Sequence, residues 1–313
     1  MHNFDRPLFK RLSFNDTGGA AGHTGAIVIT KQLLPYFPQL TGTATAASPT
    51  AERKIRVALF VGNLQVGLVE ARYQYQTRGG KRPPEYWLTE NLGAIRNPAA
   101  KDDFVLIERS LSDPDFYRLT LHKAGTPDFA ALLAKVGSRR QGAVDTADTP
   151  VPETEVVTSE AEQEARELAP LELFDNTAAL HETRTLRVAR SQAFKRRLLP
   201  LYDFRCAVCG LAHADSGSAW EAEAAHIVPR GLKGADDARN GLTLCRSHHW
   251  AFDRGLFGIL PTHEIILRPV AAAEPRNAHL LPFAGQILRK PVDLKMMPSS
   301  DALAWHLKNI AGL

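Results

Sequence analysis

Cys206-Ala-Val-Cys209, Glu223-Ala-Ala-His226-Ile-Val-Pro, Asn240-Gly-Leu-Thr-Leu-Cys245 and Arg246-Ser-His248-His249 follow one another in a short run near the end of the chain, and all three cysteines of the protein lie inside it. Structural zinc takes four tetrahedral thiolate or imidazole ligands, commonly as two closely spaced pairs. Cys206 and Cys209 make a C-x-x-C pair, and Cys245 and His248 a C-x-x-H pair. Gly210 suits the tight turn that brings both sulfurs to one point. Two other readings compete. Free cysteines are often small buried hydrophobes, but burial alone does not explain two pairs at ligand spacing. A redox C-x-x-C belongs in a thioredoxin-like βαβ pattern, and none surrounds this one. With zinc on Cys206, Cys209, Cys245 and His248, His249 is left over. Asp253 follows four residues later, so on a helix both point to one side. Glu221 to Val228 reads as a strand ended by Pro229 and Gly231, with His226 near its end. Asn240 sits in the returning loop, and Leu242 to Leu244 reads as the next strand. The expected order is strand, loop, strand, helix.

On these residues the segment from about Val188 to Leu260 resembles the HNH endonuclease family in its HNH_2-type variant. The matching stretches are Phe194-Lys-Arg-Arg-Leu-Leu, Arg205-Cys206, Glu223-Ala-Ala-His226-Ile-Val-Pro, Asn240-Gly-Leu-Thr-Leu-Cys245, and His249 through Asp253-Arg-Gly255. The resemblance implies a ββα-metal (His-Me finger) nuclease domain with structural zinc. It implies that His226, Asn240 and His249 are catalytic, with His226 the general base and Asn240 ordering the loop. His249 and Asp253 would hold a catalytic Mg²⁺ or Mn²⁺, and the products would carry 5′-phosphate and 3′-hydroxyl ends. The residue chemistry agrees by itself. Phosphodiester hydrolysis needs a base for water and a cation for the developing charge. Neutral histidine accepts a proton near physiological pH, and a carboxylate with an imidazole suits such a cation. The competing readings are a buried, hydrogen-bonded His226 and an Asp253 paired with Arg254. One position departs from the family. Many of its members carry His or Asp directly before the base, where this chain has Ala225. Glu223, two residues earlier and on the same strand face, offers a substitute.

Upstream, Arg184, Arg187, Arg190, Lys195, Arg196 and Arg197 crowd a stretch without acids, while Leu186, Ala189, Ala193 and Phe194 recur at helical spacing. This helix reads either as a solvated face or as a row of phosphate contacts. At the other end, Phe9 to His23 is basic, then polar, then glycine-rich, and precedes an apolar strand at Ala26 to Ile29. It lacks the G-K-[ST] of a P-loop; by mechanism it is either an anion-binding loop or a connection. Lys10-Arg-Leu-Ser-x-Asn-Asp-Thr-Gly with Gly22-His23, and Thr77-Arg78-Gly-Gly-Lys81-Arg82 with Arg72 and Trp87 nearby, resemble the N-terminal domain of EcoRII-type restriction enzymes. That resemblance covers about residues 5 to 135. It implies a DNA-binding pseudobarrel like that of the plant B-three transcription factors, gripping DNA with two basic arms. The expected DNA-contact residues are Lys10, Arg11, Ser13, Asn15, Asp16, Thr17 and His23 in the first arm. Arg72, Arg78, Lys81 and Arg82 stand in the second. Arginine reads guanine and asparagine reads adenine in the major groove, which makes Asn15 and Arg78 candidates for base contact. Lys10 and Lys81 are candidates for phosphate contact.

Composition sets the frame. A length of 313 residues suggests two domains. A net charge of +4 permits a DNA partner. No apolar run is long enough for a membrane span, the N-terminus does not read as a signal peptide, and paired cysteines at zinc spacing fit a reducing cytoplasm. Residues 138–168 hold eight acids and no aromatic residue, which reads as a solvated linker with a short helix in Glu160 to Leu168. Val57 to Val69 reads as paired strands, Gly258 to Pro269 as a hairpin, and Asp301 to Ile310 as a terminal helix. The expectation is an α+β multidomain protein: a pseudobarrel over 1–137, an acidic linker over 138–170, and the nuclease domain over 171–313. Its function would be sequence-specific cleavage of double-stranded DNA, as a Type II restriction enzyme acting as a homodimer alongside a cognate DNA methyltransferase. The alternatives are a methylcytosine-dependent nuclease and a DNA-binding regulator with an inactive zinc scaffold.

Overall fold

A computed structural model describes residues 4–18, 26–40, 44, 50–77, 85–175, 183–214 and 221–313. The chain divides into two compact units, one mainly Met1–Thr154 and the other mainly Glu155–Asp215 and Trp220–Leu313.

The first unit is a mixed sheet of eight strands: β1 (Leu8–Arg11), β2 (Ile27–Ile29), β3 (Thr50–Val61), β4 (Leu64–Gln76), β5 (Glu85–Thr89), β6 (Phe104–Arg109), β7 (Phe116–His122) and β8 (Gln141–Ala143). Their order is β2-β5-β4-β3-β7-β6-β1-β8. The β3–β7 pair is parallel and its neighbours are antiparallel. The first half of β3 alternates, with Ala51, Ile55 and Val57 buried and Glu52 and Arg56 exposed, as a sheet with one covered face requires. The β3–β4 hairpin is the pair expected around Val57 to Val69, but it is far longer. Ile27 and Ile29 of β2 share one core with Leu8 of β1, from the other end of the strand order. Strands so far apart can meet only if the sheet curls, which gives a half-barrel. Helix α1 (Gly93–Arg96) adds Ile95 to that core. Helix α2 (Pro127–Val136) covers a smaller core on Phe9 and Phe104.

The acidic stretch expected as a linker is largely ordered structure. Its β8 pairs with β1. Its helix α3 (Glu153–Glu167) begins well before the short helix expected from the sequence. Val156, Ser159 and Gln163 are buried. The acids meet the basic helix α4 (Arg184–Leu201): Glu160 pairs with Arg196 at 3.6 Å, Glu167 with Arg197, and Gln163 donates to the Arg190 carbonyl at 3.1 Å. Charge complementarity between two helices orders a segment that buries little apolar surface by itself.

In the second unit β9 (Glu223–His226) pairs antiparallel with β10 (Gly241–Leu244), and α5 (Arg246–Asp253) follows. Phe194 and Leu198 of α4 pack with Ala225, Ile227, Leu242 and Leu244 in one core. Gly241 permits that approach: a Cβ there would stand 2.8 Å from the Phe194 ring and 2.7 Å from Leu198. A hairpin of β11 (Phe257–Ile259) and β12 (Ile265–Leu267) lies where it was expected. After α6 (Pro269–Ala272), the terminal α7 (Ser300–His306) runs into a π-helical turn at Leu307–Ala311. Among the described residues no helix is long and apolar enough to cross a membrane.

Candidate functional site

Cys206, Cys209, Cys245 and His248 offer three sulfurs and a ring nitrogen that all lie within 4.8 Å of one another. His248 Nδ1 stands 3.1 Å from Cys245 Sγ and 3.6 Å from Cys206 Sγ, and Cys209 Sγ stands 4.0 Å from Cys245 Sγ. Zinc–sulfur bonds of about 2.3 Å at tetrahedral angles put ligand atoms about 3.8 Å apart, so the donor set fits zinc. The turn is closed by the Gly210 amide donating to the Cys206 carbonyl at 2.8 Å, with Gly210 at φ +71°. The hydrogen bond between Cys206 and Cys245 lowers the pKa of Cys206 and raises that of Cys245.

Cys245 caps α5, so the zinc-type cluster and the second histidine share one helix start. His249 Nδ1 meets Glu223 Oε2 at 2.8 Å, and His249 Nε2 faces Asp253 Oδ2 at 3.5 Å. Burial acts to lower His249, but the Glu223 hydrogen bond and the Asp253 charge outweigh it and raise the pKa. The His249 hydrogen bond in turn lowers Glu223. Glu223 therefore stands at the site, whereas Ala225 is buried in the core. Among the described residues, the Cys3His set is the group of three or more possible ligands drawn within 4.8 Å. Glu223, His249 and Asp253 are linked pairwise through the imidazole instead, and a cation bound by His249 displaces one of its two acids.

Asn240 is fully buried and laces the loop between the strands. Its Oδ1 accepts from the Val228 amide at 2.9 Å, and its Nδ2 donates to the carbonyls of Ala235 at 2.9 Å and Val228 at 3.2 Å. His226 ends β9, opposite Gly241. Its ring stacks on Phe194 at 4.0 Å, and its Nε2 lies 2.9 Å from Asp236 Oδ1. Sequence reading missed this aspartate. It sits within a loop beside a second acid, Asp237, and no motif marks it. Lys195, one of the basic residues of the α4 row, follows Phe194 and is partly buried. Burial lowers its pKa, and the charge of Glu223 opposes that.

The basic face of α4 is mostly committed inside the unit. Arg190 pairs with Asp175 at 2.7 Å and Asp236 at 2.8 Å, while Arg196 and Arg197 meet α3. Arg184 and Arg187 lie at exposed positions.

In the first unit several expected DNA-contact residues have partners within the unit. Lys10 is 5 % exposed; its Nζ lies 2.6 Å from Asp16 Oδ1 and donates to the Val28 carbonyl at 2.6 Å. Asp16 is fully buried and also accepts from the Ser13 hydroxyl at 2.6 Å and the Val28 amide at 2.9 Å. Thr17 is buried, with its hydroxyl on the Phe14 carbonyl. Neither Lys10 nor Asp16 is presented to a ligand, because each satisfies the other's desolvated charge. Arg11 packs over the Phe104 ring and pairs with Asp102, and Arg72 pairs with Glu52 and Glu90. Arg96 donates to the carbonyls of Asp16 and Thr17 and fixes the turn from the other side. The residues this turn does present are Phe14 and Asn15. His23, Arg78, Lys81 and Arg82 lie outside the described residues.

Residues 206–260 match the family model of the HNH endonuclease. The chain carries an HNH endonuclease domain. The matched span begins at the first zinc-type ligand, includes both strands and α5, and ends after β11. Among solved structures the chain is similar to the modification dependent TagI restriction endonuclease, at 21% identity and a TM-score of 0.28 over 37% of this chain and 36% of that one. The likeness thus spans little more than a third of that protein's length. No curated protein matches the chain.

Proposed function

We propose that the chain is a Type II restriction enzyme that cuts double-stranded DNA at a specific sequence. The observation that carries the reading is the HNH unit itself: His226 on β9, Asn240 lacing the loop, and His249 with its two acids on and beside α5, over a Cys3His knot. In this reading His226 takes a proton from water, and the hydroxide oxygen bonds to phosphorus. The bond from phosphorus to the 3′ oxygen breaks, and that oxygen takes a proton from solvent. The products are a 5′-phosphate and a 3′-hydroxyl. His249 and Asp253 would hold a Mg²⁺ or Mn²⁺, whose chemistry is to neutralise charge on the phosphate and the leaving oxygen, while Glu223 stays on His249 Nδ1. The N-terminal unit would read the site as a pseudobarrel, with Phe14 and Asn15 at the tip of one arm. Because one HNH site cuts one strand, two copies would act on a twofold site. A methyltransferase would protect the host DNA in the cytoplasm.

The test is cleavage of two matched genomic DNAs, one unmodified and one with methylated cytosine, in Mg²⁺ or Mn²⁺. Discrete fragments from the unmodified DNA are expected. Cutting of the methylated DNA alone makes this a modification-dependent nuclease, and cutting of neither favours a DNA-binding regulator. His226→Ala should abolish cleavage and leave band-shift binding of the site intact.

A further inference from the structure

We propose that Asp236 is the positioning residue for the base: its carboxylate fixes His226 in the tautomer that leaves Nδ1 as the proton-accepting atom. The proposal rests on the nuclease reading above. An ionised carboxylate only accepts hydrogen bonds, so at 2.9 Å from Asp236 Oδ1 the Nε2 of neutral His226 must carry the hydrogen. The lone pair then lies on Nδ1, which has no hydrogen bond to another described residue. Stacking on Phe194 at 4.0 Å and 11° holds the ring plane. One contact therefore fixes the plane and the other the rotation within it.

The surroundings keep Asp236 charged. Its side chain is 3% exposed, and its second oxygen faces Arg190 at 2.8 Å and Arg230 at 3.6 Å. Burial acts to raise its pKa, but the His226 hydrogen bond and the charges of His226, Arg190 and Arg230 outweigh it, so the carboxyl is lowered. Asp175 shares the same two guanidiniums, at 2.7 Å from Arg190 and 3.3 Å from Arg230, and takes Arg166 at 3.2 Å. Two buried acids and three arginines thus form a charged frame, in which Asp236 Oδ2 lies within ion-pair range of Arg190 without a hydrogen bond and Oδ1 faces His226. The half-exposed Asp253 is within the field of His226. When Nδ1 takes the proton of water, the Nε2 hydrogen stays where it is and Asp236 stays ionised. The imidazolium forms against a fixed negative charge, which lowers the cost of the step.

The experiment compares wild type, Asp236→Asn, His226→Ala and the double variant by single-turnover cleavage of DNA that wild type cuts. DNA affinity is measured without the activating metal, and melting temperature alongside. Asparagine can donate as well as accept, so it no longer dictates the tautomer. Asp236→Asn is expected to slow cleavage by about 100-fold or more with affinity unchanged, and the double variant to be no slower than His226→Ala. Cleavage by Asp236→Asn within threefold of wild type overturns the proposal, as does a double variant slower than His226→Ala by the full Asp236→Asn factor. Should Asp236→Asn not fold, ¹⁵N-histidine NMR of wild type decides, with the His226 signal assigned by its loss in His226→Ala. Protonated Nε2 with unprotonated Nδ1 at neutral pH is expected, and the reverse tautomer overturns the proposal. A wild type that cuts no DNA sinks the nuclease reading and the positioning role with it.

Discussion

Cys206 is fully buried at the first turn of the knuckle, and its thiol touches both partners from the far end of the motif. Serine there keeps the volume but replaces a soft thiolate with a poor zinc ligand. Cys206→Ser should lose its bound zinc by elemental analysis and lose about 4 kcal/mol or more of stability by denaturant unfolding. His306 makes a second prediction. Its ring stacks on Phe252 at 3.7 Å, its Nε2 lies 3.1 Å from the Phe252 carbonyl, and burial pushes its pKa down to about 4. The unfolded chain therefore binds a proton that the folded chain refuses. The associated stability is fully present above the unfolded value of about 6.5 and is lost as pH falls from there through about 4. The shift corresponds to about 3 kcal/mol. Replacing His306 with glutamine should flatten the fall in melting temperature between pH 7 and pH 5. Residue chemistry was legible in the sequence where spacing carries it: the two ligand pairs, His226, Asn240 and His249 each fall at intervals a motif can state. The burial of Lys10 and Asp16 was not legible for the opposite reason. A basic residue beside a glycine-rich loop looks like a ligand contact, and nothing local says that an acid six residues on will take it inside.

At the scale of elements, the contact between α4 and the β9–β10 pair matters most to the site, because Phe194 is at once core residue and backing for the His226 ring. Gly241→Ala puts a methyl group 2.7 to 2.8 Å from Leu198 and the Phe194 ring, and overpacking of this kind costs about 1–3 kcal/mol. The helix must shift outward and take the stacking ring with it. Single-turnover cleavage should fall by at least about tenfold, while zinc content stays at the wild-type level. Both strands were legible within two residues of their bounds because turn residues mark their ends, and α5 by its place after them. Helix α3 was legible only in part. A run of acids reads as solvated when taken alone, and its partner is a basic helix some thirty residues later whose own charges read as a nucleic-acid surface. Each charge run explains the other, and a one-dimensional pattern does not hold that pairing.

For the molecule as a whole, the zinc-type cluster and the proposed catalytic cation predict two kinds of loss. The zinc-type ligands lie in a largely buried cluster that belongs to the core, whereas Asp253 is half-exposed and Glu223 and His249 sit at partly open positions. Brief treatment with EDTA should abolish cleavage, and adding Mg²⁺ or Mn²⁺ should restore it. Once zinc itself has been extracted, those cations alone should restore nothing, and circular dichroism should show lost structure. Recovery after zinc extraction by Mg²⁺ alone would contradict the structural assignment. The curled sheet of the first unit was not legible in the sequence pattern, since its strands pair across long sequence separations that alternation cannot assign.

The short helix α5 has one more consequence. Its eight residues, Arg-Ser-His-His-Trp-Ala-Phe-Asp, include few good helix formers, and a peptide of that length has almost no helicity in water. The knot at Cys245 and His248 supplies the order that the sequence does not. Selection is then released from keeping this segment helical by composition and can spend its positions on reactivity. The exposed Trp250 is one such position.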